Sequence, residues 1–81
     1  MHHTYQTKGT CSQQIDFDIE DGKIYNVAFV GGCNGNLKGI GKLVEGMDAA
    51  EVAARVKGTK CGFKPTSCPD QLARAIEEAL A

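Results

Sequence analysis

Four residues of this 81-residue chain stand out for their chemistry: Cys11, Cys33, Cys61 and Cys68. A thiolate is both a nucleophile and a soft metal ligand. The spacing, Cys-x21-Cys-x27-Cys-x6-Cys, contains no Cys-x-x-Cys pair and so matches neither a zinc ribbon nor a ferredoxin pattern. The case for a shared site therefore rests on placement. Each cysteine falls at a junction between expected elements, where chain reversals can gather at one end of a small sheet. Four thiolates converging there would suit tetrahedral zinc or an iron–sulfur cluster. A Cys–His nucleophilic pair has little support, because both histidines, His2 and His3, stand at the start of the chain. No catalytic set emerges, and nothing marks the chain as an enzyme on its own.

Other polar groups carry weaker signals. Asp16, Asp18 and Glu20 alternate with Ile15, Phe17 and Ile19, the pattern of a solvated strand face rather than of catalytic carboxylates. Lys57, Lys60 and Lys64 flank Cys61 and would partly offset the charge of a zinc tetrathiolate, or simply face water. The glycine-rich residues 31–41 lack the Lys-Ser/Thr of a phosphate-binding loop and contain no Gly-x-Gly-x-x-Gly opening a helix.

The elements that must position the cysteines follow from periodicity. Residues 4–10 read as a short edge strand ending near Cys11, and residues 13–20 as a half-buried strand. Asp21-Gly22 supplies the positive-φ pair of a two-residue hairpin turn. Residues 23–30 return with apolar side chains on both faces, which predicts a central strand, and Gly31-Gly32 ends it before Cys33. Asn34 then opens a helix carrying Leu37, Ile40 and Val44. Gly35, Gly39 and Gly41 each weaken that helix by about 1 kcal/mol against Ala, and close packing is the expected reason for them. An Asp48-x-x-Glu51 capping box starts a second helix over residues 49–56, stopped by Gly58. A third helix follows Pro69, which suits a first helical turn. That makes Cys68 the expected N-cap, in the dipole field that favours a thiolate. Leu72, Ile76 and Leu80 are expected to face Ile15, Phe17 and Ile19. The fold class is α+β: a three-stranded antiparallel sheet followed by three helices packed mainly on one face.

Length and composition bound the rest. Eighty-one residues form one domain, 1–81, whose small core would gain from a metal or crosslink. A formal net charge of −1 gives no broad basic surface, so no nucleic acid is expected. The longest apolar run, residues 27–30, is far too short to span a membrane. The expected compartment is the cytoplasm, where thiols stay reduced and four cysteines serve better as ligands or redox groups than as disulfides.

The segment Thr66-Ser67-Cys68-Pro69-Asp70 spells the signature of the TSCPD domain, and Gly32-Cys33-Asn34-Gly35-Asn36 and Cys61-Gly62 also resemble that family. The resemblance covers essentially the whole chain. The family includes small stand-alone bacterial proteins and a module in the C-terminal part of adenosylcobalamin-dependent ribonucleotide reductases. It implies a link to deoxyribonucleotide synthesis by domain type, with a ribonucleotide reductase or an iron–sulfur client protein as partner. A more distant resemblance is to U-type iron–sulfur cluster scaffold proteins. Cys11, Cys33 and Cys68 fall where that family places its three ligands, whereas Gln13 and Ser67 replace its Asp and His. Cys61 would then supply a fourth ligand. Together these expectations describe a small metal-binding protein holding zinc or an iron–sulfur cluster through Cys11, Cys33, Cys61 and Cys68. The competing expectation is a thiol-redox accessory module in which Cys61 and Cys68 exchange dithiol for disulfide.

Overall fold

The hairpin at Asp21-Gly22 sets the register of the sheet. Both residues have positive φ, 52° and 76°, as the primed two-residue turns require. The structure, a computed structural model, describes residues 1–8, 12–31, 34–60 and 66–81. The hairpin joins β2 (Ser12–Glu20) to β3 (Lys23–Gly31), and β1 (His2–Gln6) pairs antiparallel with the other side of β2. The order β1-β2-β3 makes β2 the central strand and β3 an edge strand.

That order corrects the expectation for β3, and a bulge explains it. Asp18 pairs with Tyr25 and Asp16 with Ala28, so Asn26 and Val27 together oppose a single residue of β2. Asn26 takes φ 56°, a region where Asn is among the better tolerated residues. The extra residue moves the side-chain alternation along by one. Ile24 before the bulge and Val27 and Phe29 after it all belong to the core side, while Ala28 and Val30 are exposed. Apolar residues at both parities thus reflect a slipped single face, not a strand buried on two sides.

Three helices follow: α1 (Asn34–Val44), α2 (Ala49–Val56) and α3 (Cys68–Leu80). The architecture is the expected α+β one, a three-stranded antiparallel sheet followed by three helices. Ile15, Phe17 and Ile24 from the sheet join Val44, Ala49, Val52, Ala53, Leu72, Ala73, Ala75 and Ile76 in one apolar cluster. Ile19 is only partly buried at its edge, and Leu80, expected inside, is 46% exposed at the end of α3. The opposite sheet face carries the acidic side chains, bonded across strands: Thr4 to Asp16 at 2.8 Å, and His2 to Asp18 at 2.9 Å. No helix among the described residues is long and apolar enough to cross a membrane.

The α1–α2 connection protects part of the β3 edge. Ile24 N–H donates to Met47 O at 2.9 Å, and Gly46 N–H donates to Ile24 O at 2.7 Å. Backbone groups that an edge strand would leave open are thereby paired. α1 lies close against the bulge, where a Cβ at Gly41 would stand 2.8 Å from Val27 O. Glycine is required there. At Gly35 and Gly39 a Cβ would meet nothing within 4 Å, so close packing explains one of the three helix glycines.

α2 begins as expected at Asp48, whose carboxylate accepts the Ala50 amide at 3.0 Å. Glu51 does not complete a capping box; it pairs with Arg55 at 2.8 Å, one turn on.

Candidate functional site

Cys68 is the first helical residue of α3 and is half-buried. The cap is Ser67, one residue earlier than expected. Its φ and ψ of −150° and 172° are extended, and its hydroxyl oxygen accepts the Asp70 amide at 3.2 Å. An oxygen accepts an amide hydrogen bond better than sulfur, so Ser takes the cap and Cys moves into the first turn. Pro69 fills the first turn, where its missing N–H costs nothing.

Cys11, Cys33 and Cys61 lie outside the described residues, as does Lys64. Among the described residues, no three His, Cys, Asp or Glu side chains are placed to hold a metal. Of the other lysines near Cys61 in sequence, Lys57 pairs with Glu77 at 3.0 Å and Lys60 is exposed.

The structure does show how the start of α3 is held, and here sequence reasoning missed the central residue. Asp70 is 1% exposed. Its Oδ1 accepts the Gly58 amide at 2.7 Å, and its Oδ2 accepts the Thr66 hydroxyl and Arg74 Nε, the latter at 3.0 Å. The Thr66 hydroxyl, then the Gly58 amide, hold the carboxyl below its ordinary pKa against the opposing effect of burial, with Arg74 adding to them. Gln71, 4% exposed, continues the network. Its Nε2 donates to Thr66 Oγ1 at 3.0 Å and its Oε1 accepts the Lys8 amide at 3.2 Å. Ser67 Oγ in turn donates to Thr59 O at 2.6 Å. No buried side-chain nitrogen or oxygen among the described residues lacks a partner. The signal in the sequence was the Thr66-x-x-x-Asp70 spacing, which puts a short hydroxyl side chain within reach of a first-turn carboxylate.

Three hydrogen-bonded or paired junctions result. Lys8 is tied to Gln71, Thr59 to Ser67, and Ser12 stands opposite Gly31 across β2 and β3. The loop between β1 and β2 is closed further by Thr7 N–H donating to Gln13 O at 3.2 Å. Thr66, Ser67, Pro69 and Asp70 therefore serve the architecture, and Cys68 is the thiol-bearing member of the pentapeptide.

No curated protein and no solved structure matches the chain. The family model of the TSCPD domain matches residues 2–80, and the chain belongs to that family.

Proposed function

We propose that this chain is a small thiolate metal-binding protein, holding zinc or an iron–sulfur cluster through Cys11, Cys33, Cys61 and Cys68. The observation that carries the reading is the set of three junctions. Ser12, next to Cys11, is the register partner of Gly31, two residues before Cys33. Thr59, two residues before Cys61, is bonded to Ser67, next to Cys68. Lys8, three residues before Cys11, is bonded to Gln71, three residues after Cys68. Each cysteine thus stands within three residues, in sequence, of a position tied to one within three residues of another cysteine.

The donor set fits the group. Four thiolates match zinc and iron–sulfur centres, and a chain this short has reason to use one. When bound, such a centre would crosslink the segments that carry the cysteines and could contribute much of the folding free energy.

The test is metal analysis of protein purified without oxygen, beside the four Cys→Ser variants. One zinc, or iron with matching inorganic sulfide, per chain is expected, with less metal retained in each variant. Metal-free protein in which Cys61 and Cys68 titrate as a dithiol–disulfide couple would replace this reading with the redox one.

A further inference from the structure

We propose that the open edge of β1 pairs with β1 of a second copy of this chain, joining the two sheets edge to edge. The phase of the β1–β2 ladder shows which groups that edge offers. At one end Ile19 N–H donates to Met1 O at 2.9 Å, and the Met1 amine donates to Ile19 O at 2.8 Å. At the other end Thr7 N–H donates to Gln13 O at 3.2 Å. Between them the register is unbroken, from His2 opposite Asp18 to Gln6 opposite Gln14. Bonded and non-bonded pairs alternate along an antiparallel ladder, so His3 and Tyr5 bond inward to β2. The main-chain N–H and C=O of His2, Thr4 and Gln6 therefore point outward. None of them has a hydrogen-bond partner among the described residues.

The β3 edge is covered around Ile24 by the α1–α2 connection. β1 has no such cover, and residues 2–6 contain no Lys, Pro or bulge to keep a second strand away. What β1 does have is self-complementarity. A two-fold axis at Thr4 sets it opposite the partner's Thr4, and His2 opposite the partner's Gln6. Every outward N–H and C=O of residues 2, 4 and 6 then finds a partner, whereas a slip along the edge leaves some unbonded. No like charges face each other, and Thr–Thr is a favourable cross-strand pair. On the helix side His3 comes opposite the partner's Tyr5, an aromatic pair in the closer, non-bonded geometry. His3 and Tyr5 line a groove between β1 and α3 with Ala75, Glu78 and Ala79. The partner's His3, a basic ring, thus enters beside the Glu78 carboxylate, which is exposed and has no ion pair among the described residues. The helices leave room for this. α3 packs over β2, and three strand spacings put β2 about 14 Å from its copy, beyond the roughly 8–10 Å of packed helices.

A five-residue strand edge makes a small interface, so the dimer is weak and forms on concentration. The test is sedimentation equilibrium of the whole chain with reductant present, from about 10 µM to about 1 mM. Amide hydrogen exchange is followed by NMR over the same range. Reversible dimerisation is expected, with the Thr4 and Gln6 amides gaining protection as concentration rises and those of His3 and Tyr5 protected throughout. Thr4→Lys places like charges on the axis and should weaken association by about tenfold or more. Thr4→Pro should do the same, because it removes an N–H that no bond within one copy uses. A protected Tyr5 amide shows that β1 keeps its place in either variant. Thr4 is exposed, so Thr4→Lys decides the matter if Thr4→Pro does not fold. A dimer of wild-type affinity in Thr4→Lys would overturn the proposal. So would a monomer at every concentration: freely exchanging Thr4 and Gln6 amides would then leave the edge to a strand of another protein, and protected ones to the chain's own residues.

Discussion

The backbone amide of Gly58 donates to Asp70 Oδ1 over 2.7 Å, joining the residue just past α2 to the first turn of α3. Gly58 has φ 84°, so the chain reverses there in a conformation suited to glycine, and the amide it exposes is taken up by a buried carboxylate. Asp70→Ala removes the acceptor of three donors at once. Of the three, the Thr66 hydroxyl is buried, while Gly58 and Arg74 are exposed and can turn to water. Leaving the buried donor without a partner should cost the variant about 1–3 kcal/mol in urea unfolding. A loss under 1 kcal/mol would mean that water replaces the carboxylate at little cost.

The glycines of α1 separate by what surrounds them. A Cβ at Gly41 would stand 2.8 Å from Val27 O, and that oxygen belongs to backbone held in the bulge. Gly41→Ala should therefore destabilise the protein by about 1–3 kcal/mol. Gly39→Ala, with nothing within 4 Å, should stabilise it by up to about 1 kcal/mol through helix propensity. Opposite signs in thermal unfolding are the expected result.

Core depth along α3 gives a second contrast. Ile76 is fully buried in the cluster with Phe17 and Leu72, and Ile76→Ala should cost about 2–5 kcal/mol. Leu80 is 46% exposed, and Leu80→Ala should cost less than about 1 kcal/mol. Chemical denaturation of the two variants side by side measures the difference.

Asp18 reports on the bulge. Asn26 Nδ2 donates to its Oδ2 at 2.9 Å and the His2 ring bonds its Oδ1 at 2.9 Å, and these two bonds, Asn26 first, hold its pKa below the ordinary aspartate value. A folded pKa below the unfolded one means that this stabilisation is complete above about pH 3.9 and is lost as pH falls through the folded pKa. Carboxyl chemical shifts followed through an acid titration should place the Asp18 midpoint below the ordinary aspartate value in wild type and nearer to it in Asn26→Ala. An unchanged midpoint in that variant would remove Asn26 as the cause.

Period and turn chemistry made the fold readable in the sequence. Asp21-Gly22 specified the hairpin, alternation through Ile15, Phe17 and Ile19 specified β2, and Asp48 marked the start of α2. The bulge was not readable, because Asn26 interrupts the alternation by backbone conformation while Ile24, Val27 and Phe29 all remain apolar. Without it, β3 looks buried on both sides and therefore central. The cap of α3 slipped by one because Ser67 and Cys68 both precede Pro69, and only the acceptor strength of oxygen separates them. For the proposed site, the residue types of Cys11, Cys33, Cys61 and Cys68 are what raises thiolate chemistry, and Cys11, Cys33 and Cys61 lie outside the described residues. The part played by Asp70 and Gln71 was hidden, because a charged and an amide side chain in a first turn ordinarily face water. Their burial depends on contacts with Gly58 and Lys8, 12 and 63 positions away.

X-ray absorption at the zinc or iron edge, on protein purified without oxygen, asks whether four sulfurs share one metal centre. A first shell of sulfur alone is expected, at about 2.3 Å for zinc, losing one sulfur in each of Cys11→Ser, Cys33→Ser, Cys61→Ser and Cys68→Ser. Protein that carries no metal, or a shell of nitrogen and oxygen unchanged by those substitutions, would rule that centre out.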